Sequence, residues 1–265
     1  MASQLQGLNH QMRRKIRRLL GLDKVEAEQK AASKPGLVTA NPEFVDGFLT
    51  GLIAREGKIG VLQCGANDGV TVDPINRFLI RNKSNVKAVL VEPLPDVFEQ
   101  LKENYAGNEN VACLNVALGP EGKLTLYRLK AEYSDRYRGI IASGITSFDR
   151  NHVLKKSMNL VGIDEIPPED RVEEVEVECM TVSRLIDDHA DRLSDQPFVQ
   201  IDAEGFDDQV VYSVDLERHR PLGFGYEFNK LSIEKLGKLR EHLARHGYST
   251  VTWSKSDELA YLVRN

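Results

Sequence analysis

Long apolar runs are missing from this chain. None approaches the roughly 20 residues that a helix needs to cross a bilayer, and no secretory leader opens it, so the protein is expected in the cytoplasm. Cysteine is scarce. Cys64, Cys113 and Cys179 lie far apart, show no C-x-x-C spacing and stand in apolar surroundings. That pattern excludes a disulfide framework and a zinc site of the C-x-x-C type, and leaves reduced, buried thiols. Positive charge is not in excess either. A net charge of −5 argues against a nucleic-acid partner, which favours a basic domain. No internal repeat is visible.

What is present is the composition of a globular protein. Hydrophobic residues make up 41% and charged residues 28%, enough apolar material for a sizeable core. A length of 265 residues suits one large α/β domain with an extension and is short for two enzymes. The extension is residues 1–35. There "NHQMRRKIRRLLGL" puts Met12, Ile16, Leu19 and Leu20 on one helical face with five basic residues around them. Such a helix lies on an anionic membrane surface through residues 12–22, or packs on its own domain, or on a second subunit. The three options stay open, as does the oligomeric state. Pro35-Gly36 ends the extension.

From residue 41 onward helix and strand signals alternate. "PEFVDGFLTGLIA" has a helical pattern, and "IGVLQC" is a short continuous apolar run, as in a strand covered on both faces. "DPINRFLIRN" is a helix with Pro74 at its start, "KAVLVEP" a strand, "PDVFEQLKENY" a helix and "NVACLNVAL" a strand. A β-α-β-α-β series implies a parallel sheet with helices on both faces. "EGKLTLYRL" reads as an edge strand, and residues 127–171 form an irregular insert of the kind that makes a substrate loop or lid. "RVEEVEVECM" alternates as a half-exposed strand. The alternation then resumes with a helix capped by Thr181, the strand "PFVQIDAEG", the helix "FDDQVVYSV", the strand "LGFGYEFN" and a helix closed at Gly247. "YSTVTWS" and "ELAYLVR" close the domain, residues 36–265, as a strand pair.

The turn after the first strand, "GANDG" (65–69), has the position of a nucleotide cradle. A dinucleotide cradle has glycine in the middle, so that a pyrophosphate can approach the backbone. Here Asn67 blocks that approach, and Asp68 adds a negative charge worth about 1 to 4 kcal/mol against a phosphate at contact. A nicotinamide cofactor is therefore disfavoured and a cationic nucleoside such as S-adenosylmethionine is favoured. Glu92, 23 residues beyond Gly69 at the end of the second strand, is placed to accept both ribose hydroxyls.

"GANDG" with Asp73-Pro74, then "LVEPLPDVFEQLKENY", "NVALG", "GITSFDRNHVLK", "MTVSRLID" and "QIDAEGFDDQVV", resemble the FkbM-type methyltransferases over roughly residues 56–250. The resemblance implies a class I, Rossmann-like fold: a seven-stranded, mostly parallel sheet with one antiparallel strand near the end. It also implies methyl transfer from S-adenosylmethionine to oxygen, commonly a hydroxyl of a saccharide or glycolipid. Gln63, Gly65, Ala66, Asn67, Asp68, Gly69, Glu92, Pro93, Asn115 and Ala117 are the candidate cofactor residues. Gln63 departs from the family, many of whose members carry Asp near the methionine ammonium. Asp68 is expected to take over that role.

Methyl transfer to a hydroxyl needs alignment and a proton acceptor at the carboxyl ends of the strands. Asp202 and Glu204 end one strand, and Glu227 and Asn229 end the next. Three carboxylates brought together need a neutralising device. Either one is a general base of raised pKa, or Asp202, Glu204 and Glu227 hold a magnesium-type ion, or Glu204 merely caps the following helix. His152, in the insert, is the second candidate base. Tyr133, Arg136, Arg138 and Ser147, with Glu227 and Asn229, are the candidate acceptor-binding residues. A non-catalytic scaffold that retains the fold and serves a glycan-assembly complex is the alternative function.

Overall fold

The strand Ile59–Cys64 (β1) is buried at every position, which fixes its place in the middle of a sheet. In the computed structural model, which describes residues 44–71, 73–136, 145–160 and 162–263, it pairs in parallel with Val86–Val91 (β2) on one side. On its other side it pairs in parallel with Phe198–Ile201. The basic stretch of residues 1–35, and with it the expected membrane contact at 12–22, lies outside the described residues.

The other strands in chain order are Val111–Leu114 (β3), Ala117–Leu118 (β4), Gly122–Leu129 (β5), Thr146–Ser147 (β6), Val172–Met180 (β7), Phe198–Ile201 (β8), Gly223–Glu227 (β9), Tyr248–Thr252 (β10) and Asp257–Leu262 (β11). Seven of the strands form one sheet in the order β10-β11-β9-β8-β1-β2-β3. Neighbours from β3 to β9 run parallel, and β11 runs antiparallel to both β9 and β10. The sheet is thus mixed, with its one reversed strand in the expected terminal pair.

Side chains alternate across this sheet and build a core on each face. Leu62, Val89 and Val199 join Leu185 of Val182–Asp188 (α5), Val210 of Asp207–Tyr212 (α7) and Leu239 of Ile233–Arg245 (α8). Val61, Ala88 and Phe198 join Leu49 of Phe44–Glu56 (α1), Phe78 of Asn76–Arg81 (α2) and Leu101 of Pro95–Asn104 (α3). Local signals set the helix ends. Thr181 Oγ1 accepts from the Arg184 N–H and Ser232 Oγ from the Lys235 N–H, each satisfying a first-turn donor. The expected helix 181–193 breaks at His189 into α5 and Ala190–Leu193 (α6). Pro74 stands just before α2, whose first N–H groups are met by Asp73 instead: Oδ1 accepts from Ile75 and Asn76 at 2.7 Å each.

Two expectations change. "EGKLTLYRL" is not an edge of the main sheet. As β5 it lies between β7 and β6 in a second, four-stranded sheet of order β4-β7-β5-β6, antiparallel to β7 over its whole length. "NVACLNVAL" is two strands, because Asn115 interrupts it to bond the backbone of residues 92 and 93. The second sheet packs Leu126, Val177 and Cys179 on Leu94 and Val97 at the start of α3, which carries the insert over the carboxyl ends of the main strands. The insert has its own small core, including Leu129, Val153 of Arg150–Ser157 (α4) and Ile163. Buried Arg171 satisfies itself there on the carbonyls of Ser157, Ile163 and Ile166 at 2.8–3.0 Å.

Leu239 is fully buried and anchors α8. Replacing it with Ala is expected to cost about 2–5 kcal/mol, read as a fall in melting temperature of about 2–4 °C per kcal/mol. An unchanged melting temperature would show that α8 is not held to the sheet in this way.

Candidate functional site

The site begins where β1 ends. Gly65 has φ +73°, and a Cβ there would stand 2.0 Å from the Asp202 carbonyl oxygen, a distance no side chain survives. The approach is bonded in place: the Asp202 N–H donates to the Cys64 carbonyl at 3.0 Å. The Gly65 and Ala66 N–H groups both donate to the Val91 carbonyl, at 3.1 and 3.0 Å. The ends of β2, β1 and β8 are thereby stitched into one rim, at the carboxyl edge where open α/β sheets bind ligands.

Asn67 follows in the left-handed region, φ +50°. Its N–H donates to Glu92 Oε2 at 3.0 Å, and the Leu94 N–H donates to Glu92 Oε1 at 2.9 Å. Asn115 Nδ2 donates to the carbonyls of Glu92 and Pro93 at 2.9 and 3.0 Å, so Asn115 secures the Glu92 turn and is not part of the crevice lining. Burial raises the Glu92 carboxyl to about 7 against the opposing pull of the two N–H groups. Glu92, Pro93, Ala117 and Leu118 form one wall of a crevice whose other wall is Asp202 and Ala203; Phe148 of the insert also lines it.

Asp68 does not face this crevice. Its Oδ1 accepts from the N–H groups of Val70 and Thr71 at 2.9 and 2.7 Å, and its Oδ2 from the Thr71 hydroxyl at 2.5 Å, so the carboxylate fastens its own turn. The acid beside Gln63 is Asp73: Gln63 Nε2 donates to Asp73 Oδ2 at 2.9 Å. The other amide atom, Gln63 Oε1, is buried with no partner, an acceptor waiting for a donor.

On the far side of Asp202 the chain makes a strained turn, with Glu204 at φ +50° and Gly205 at +95°. The Lys230 ammonium lies 2.5 Å from Glu204 Oε2 and 2.5 Å from Glu227 Oε2. The Glu227 contact is a close ion pair and not a well-directed hydrogen bond. His152 Nε2 is 3.8 Å from Glu204 Oε2, outside hydrogen-bonding range. Asp207 is fully buried below them and accepts from the N–H groups of Glu227 and Gly205 at 3.1 and 3.3 Å. A second cleft of about 400 Å³ opens here, lined by Ser147, Phe148, His152, Glu204, Lys230 and Lys235 among others. Ser147, Phe148 and Glu204 line both spaces, and the Ser147 hydroxyl donates to the Glu204 carbonyl at 3.0 Å.

Burial first, then the charges of Glu227 and Glu204, raise Asp202 to about 7. The residue is still open to water in the crevice, so the full displacement belongs to the state in which a ligand excludes solvent. Burial and then Asp202 raise Asp207 to about 8. Burial lowers His152. Burial opposes the Lys230 charge, but Glu204 and Glu227 outweigh it and hold the ammonium well above its ordinary value. Among the described residues no group of three or more His, Cys, Asp or Glu side chains is arranged to hold a metal ion. The positive charge that meets Glu204 and Glu227 is Lys230.

The other sequence candidates divide. Tyr133 packs against the insert core. Asn229 is exposed in the turn after β9. Of Arg136 only the backbone is described, and Arg138 lies outside the described residues. Lys230, Asp73 and Asp207 were not among the sequence candidates. Asp73-Pro74 ahead of a helix was a capping signal in plain view, whereas nothing local distinguishes a loop lysine such as Lys230.

The model of the methyltransferase FkbM domain matches residues 63–250, a stretch that takes in every residue lining the two spaces. The chain belongs to the FkbM methyltransferase family. A search of curated proteins finds no match. Among solved structures, the FkbM chain is similar to the precorrin-6y C5,15-methyltransferase of Geobacter metallireducens GS-15, with 12% identity, TM-score 0.34, and 78% of this chain and 81% of that chain covered. The ribosomal protein L11 methylase of Lactobacillus delbrueckii subsp. bulgaricus gives 10%, 0.35, 78% and 71%. The methyltransferase domain of bacterial CtHen1-CN gives 12%, 0.36, 84% and 100%. Likeness at this level carries no argument. The assignment rests on the family match, to which the Rossmann-like sheet conforms.

The burial of Glu92 and Asp207 predicts a pH-dependent stability for the FkbM domain. Both have folded-state pKa values above the ordinary carboxylate range, so the folded state holds their protons more tightly. The stability this gives is complete below the unfolded value and is lost as pH rises through about 7 to 8. Ligand-free protein is expected to melt several degrees lower at pH 9 than at pH 6, and Glu92→Gln to flatten part of that slope. A wild-type melting temperature constant over the range would contradict the burial of these charges.

Proposed function

We propose that the protein transfers a methyl group from S-adenosylmethionine to a hydroxyl oxygen of a sugar, polysaccharide or glycolipid. The observation that carries the reading is the place of Asp202 on the crevice wall at the end of β8, beside Glu204, which lines both the narrow crevice and the open cleft. A nucleoside on one side and a hydroxyl on the other would meet there.

The lining of the narrow crevice has the chemistry that a cationic nucleoside needs. Its wall offers an acceptor in the Glu92 carboxylate. Asn67 fills the position where a pyrophosphate would need bare backbone. Glu92 would hold the ribose hydroxyls, while Leu118 and Phe148 exclude water from the crevice. S-adenosylmethionine supplies an already activated methyl, so the protein's share is alignment and proton removal. Asp202 takes the hydroxyl proton as methyl transfer proceeds. Its near-neutral pKa suits it to do so at cellular pH. The side chains lining the open cleft are suited to an uncharged, hydroxyl-rich acceptor: the rings of Phe148 and Phe206, 4.5 Å apart, give an apolar platform, while Ser232, His152 and Lys230 offer polar contacts.

The test is methyl transfer from labelled S-adenosylmethionine to isolated cell-surface glycans. Glu92→Ala should weaken cofactor binding by roughly 1.5–3 kcal/mol. Asp202→Asn should bind the cofactor and lose about a hundred- to ten-thousand-fold in turnover. Since the base must be ionised, wild-type turnover should rise with pH through about 7. Wild-type turnover in Asp202→Asn would move the role of base to His152. Failure to label any glycan would remove the acceptor class.

A further inference from the structure

Three carboxylates stand at the adjoining ends of β8 and β9, and the chain supplies its own counter-charge three residues beyond Glu227. Lys230 is four-fifths buried, with a side-chain exposure of 20%, and Glu204 and Glu227 are buried to the same degree at 23% and 19%. Its ammonium lies 2.5 Å from an oxygen of each carboxylate. The placement is enforced from several directions. Glu204 is in a left-handed conformation between Ala203 and Gly205. The Glu204 carbonyl is held by Ser147 Oγ. The Glu227 N–H is held by Asp207. Two carboxylates from neighbouring strands, converging on one point at the edge of a polar cleft, are a common way to seat a divalent ion. Here that point is filled by nitrogen.

We propose that Lys230 is the built-in cation of the acceptor site, occupying the position between Glu204 and Glu227 that a divalent metal ion would otherwise take. The inference rests on the reading of the open cleft as the place of the acceptor. It assigns Lys230 a positioning role. Its ammonium sits between the two acids as their shared counter-charge, and Lys230 also lines the cleft. The other charged groups around the cluster include Asp202, Asp207, Asp257 and Asp149 on the acidic side, and Lys156 and His152 of α4 with Lys235 on the other. Without Lys230, Glu204 and Glu227 would lose the cation that touches them both. An ammonium and a metal ion differ in a way that matters here: the lysine cannot be stripped by a chelator, and it cannot exchange.

The test needs neither the methyl donor nor the acceptor. Manganese(II) is titrated into the full-length protein and followed by calorimetry and by electron paramagnetic resonance. Wild type and Lys230→Arg are expected to bind no manganese at these acids up to millimolar concentration. Lys230→Ser should gain one site with a dissociation constant on the order of 1 mM or tighter, the range of weak carboxylate sites, and lose it when Glu204→Gln is added. If Lys230→Ser does not fold, Lys230→Gln carries the same expectation. Manganese binding by wild type that Glu204→Gln abolishes would overturn the proposal, as would a folded Lys230→Ser or Lys230→Gln that binds none. S-adenosylmethionine binding, measured on the same samples, decides the functional reading separately.

Discussion

The close pass of Gly65 over the Asp202 carbonyl is the constraint on which the site depends. It brings the ends of β1 and β8 nearer than any side chain would permit. The Val91 carbonyl, accepting from Gly65 and Ala66, adds the end of β2. Once those three ends are fixed, Glu92 and Asp202 face one crevice from opposite walls. Neither needs a long, mobile side chain to reach its place. The residues that hold the rim are mostly backbone groups, so the geometry costs little side-chain entropy on binding.

Charge is the second organising element. Glu92 and Asp207 are enclosed, and enclosure alone disfavours their ionised forms, while Asp202 stays exposed at the end of β8. The protein answers each differently. Glu92 and Asp207 receive two backbone N–H groups apiece. Glu204 and Glu227 share an ammonium. Asp202 has neither a dedicated donor nor a cation in contact among the bonds seen, and it stays open to the crevice. A carboxylate left in that condition among stabilised neighbours is the one most ready to exchange a proton.

Much of this was legible in the sequence, and the reason is physical. β1, β2 and β8 are covered on both faces, so they read as continuous apolar runs. Thr181 announces a helix start because its hydroxyl does the capping locally. "GANDG" is informative because left-handed turns admit few residue types. What escaped depends on partners distant in the chain. The second sheet pairs Lys123 with Glu176 and Leu126 with Val175, and neither strand names the other. Asp68 reads as a ligand for a cation, whereas its oxygens accept from Val70 and Thr71. Lys230 carries no local mark, since its meaning comes from two acids on two strands.

The central claim is that the rim receives a cationic nucleoside and not a dinucleotide. Calorimetric titration of the purified protein with S-adenosylmethionine, and separately with NAD, tests it most directly. The account predicts saturable one-to-one binding of S-adenosylmethionine, weakened in Glu92→Ala, and no measurable NAD binding. Absence of heat with millimolar S-adenosylmethionine would contradict it and favour a scaffold that kept the fold without the chemistry; NAD binding of equal strength would show that the turn at Asn67 has been misread.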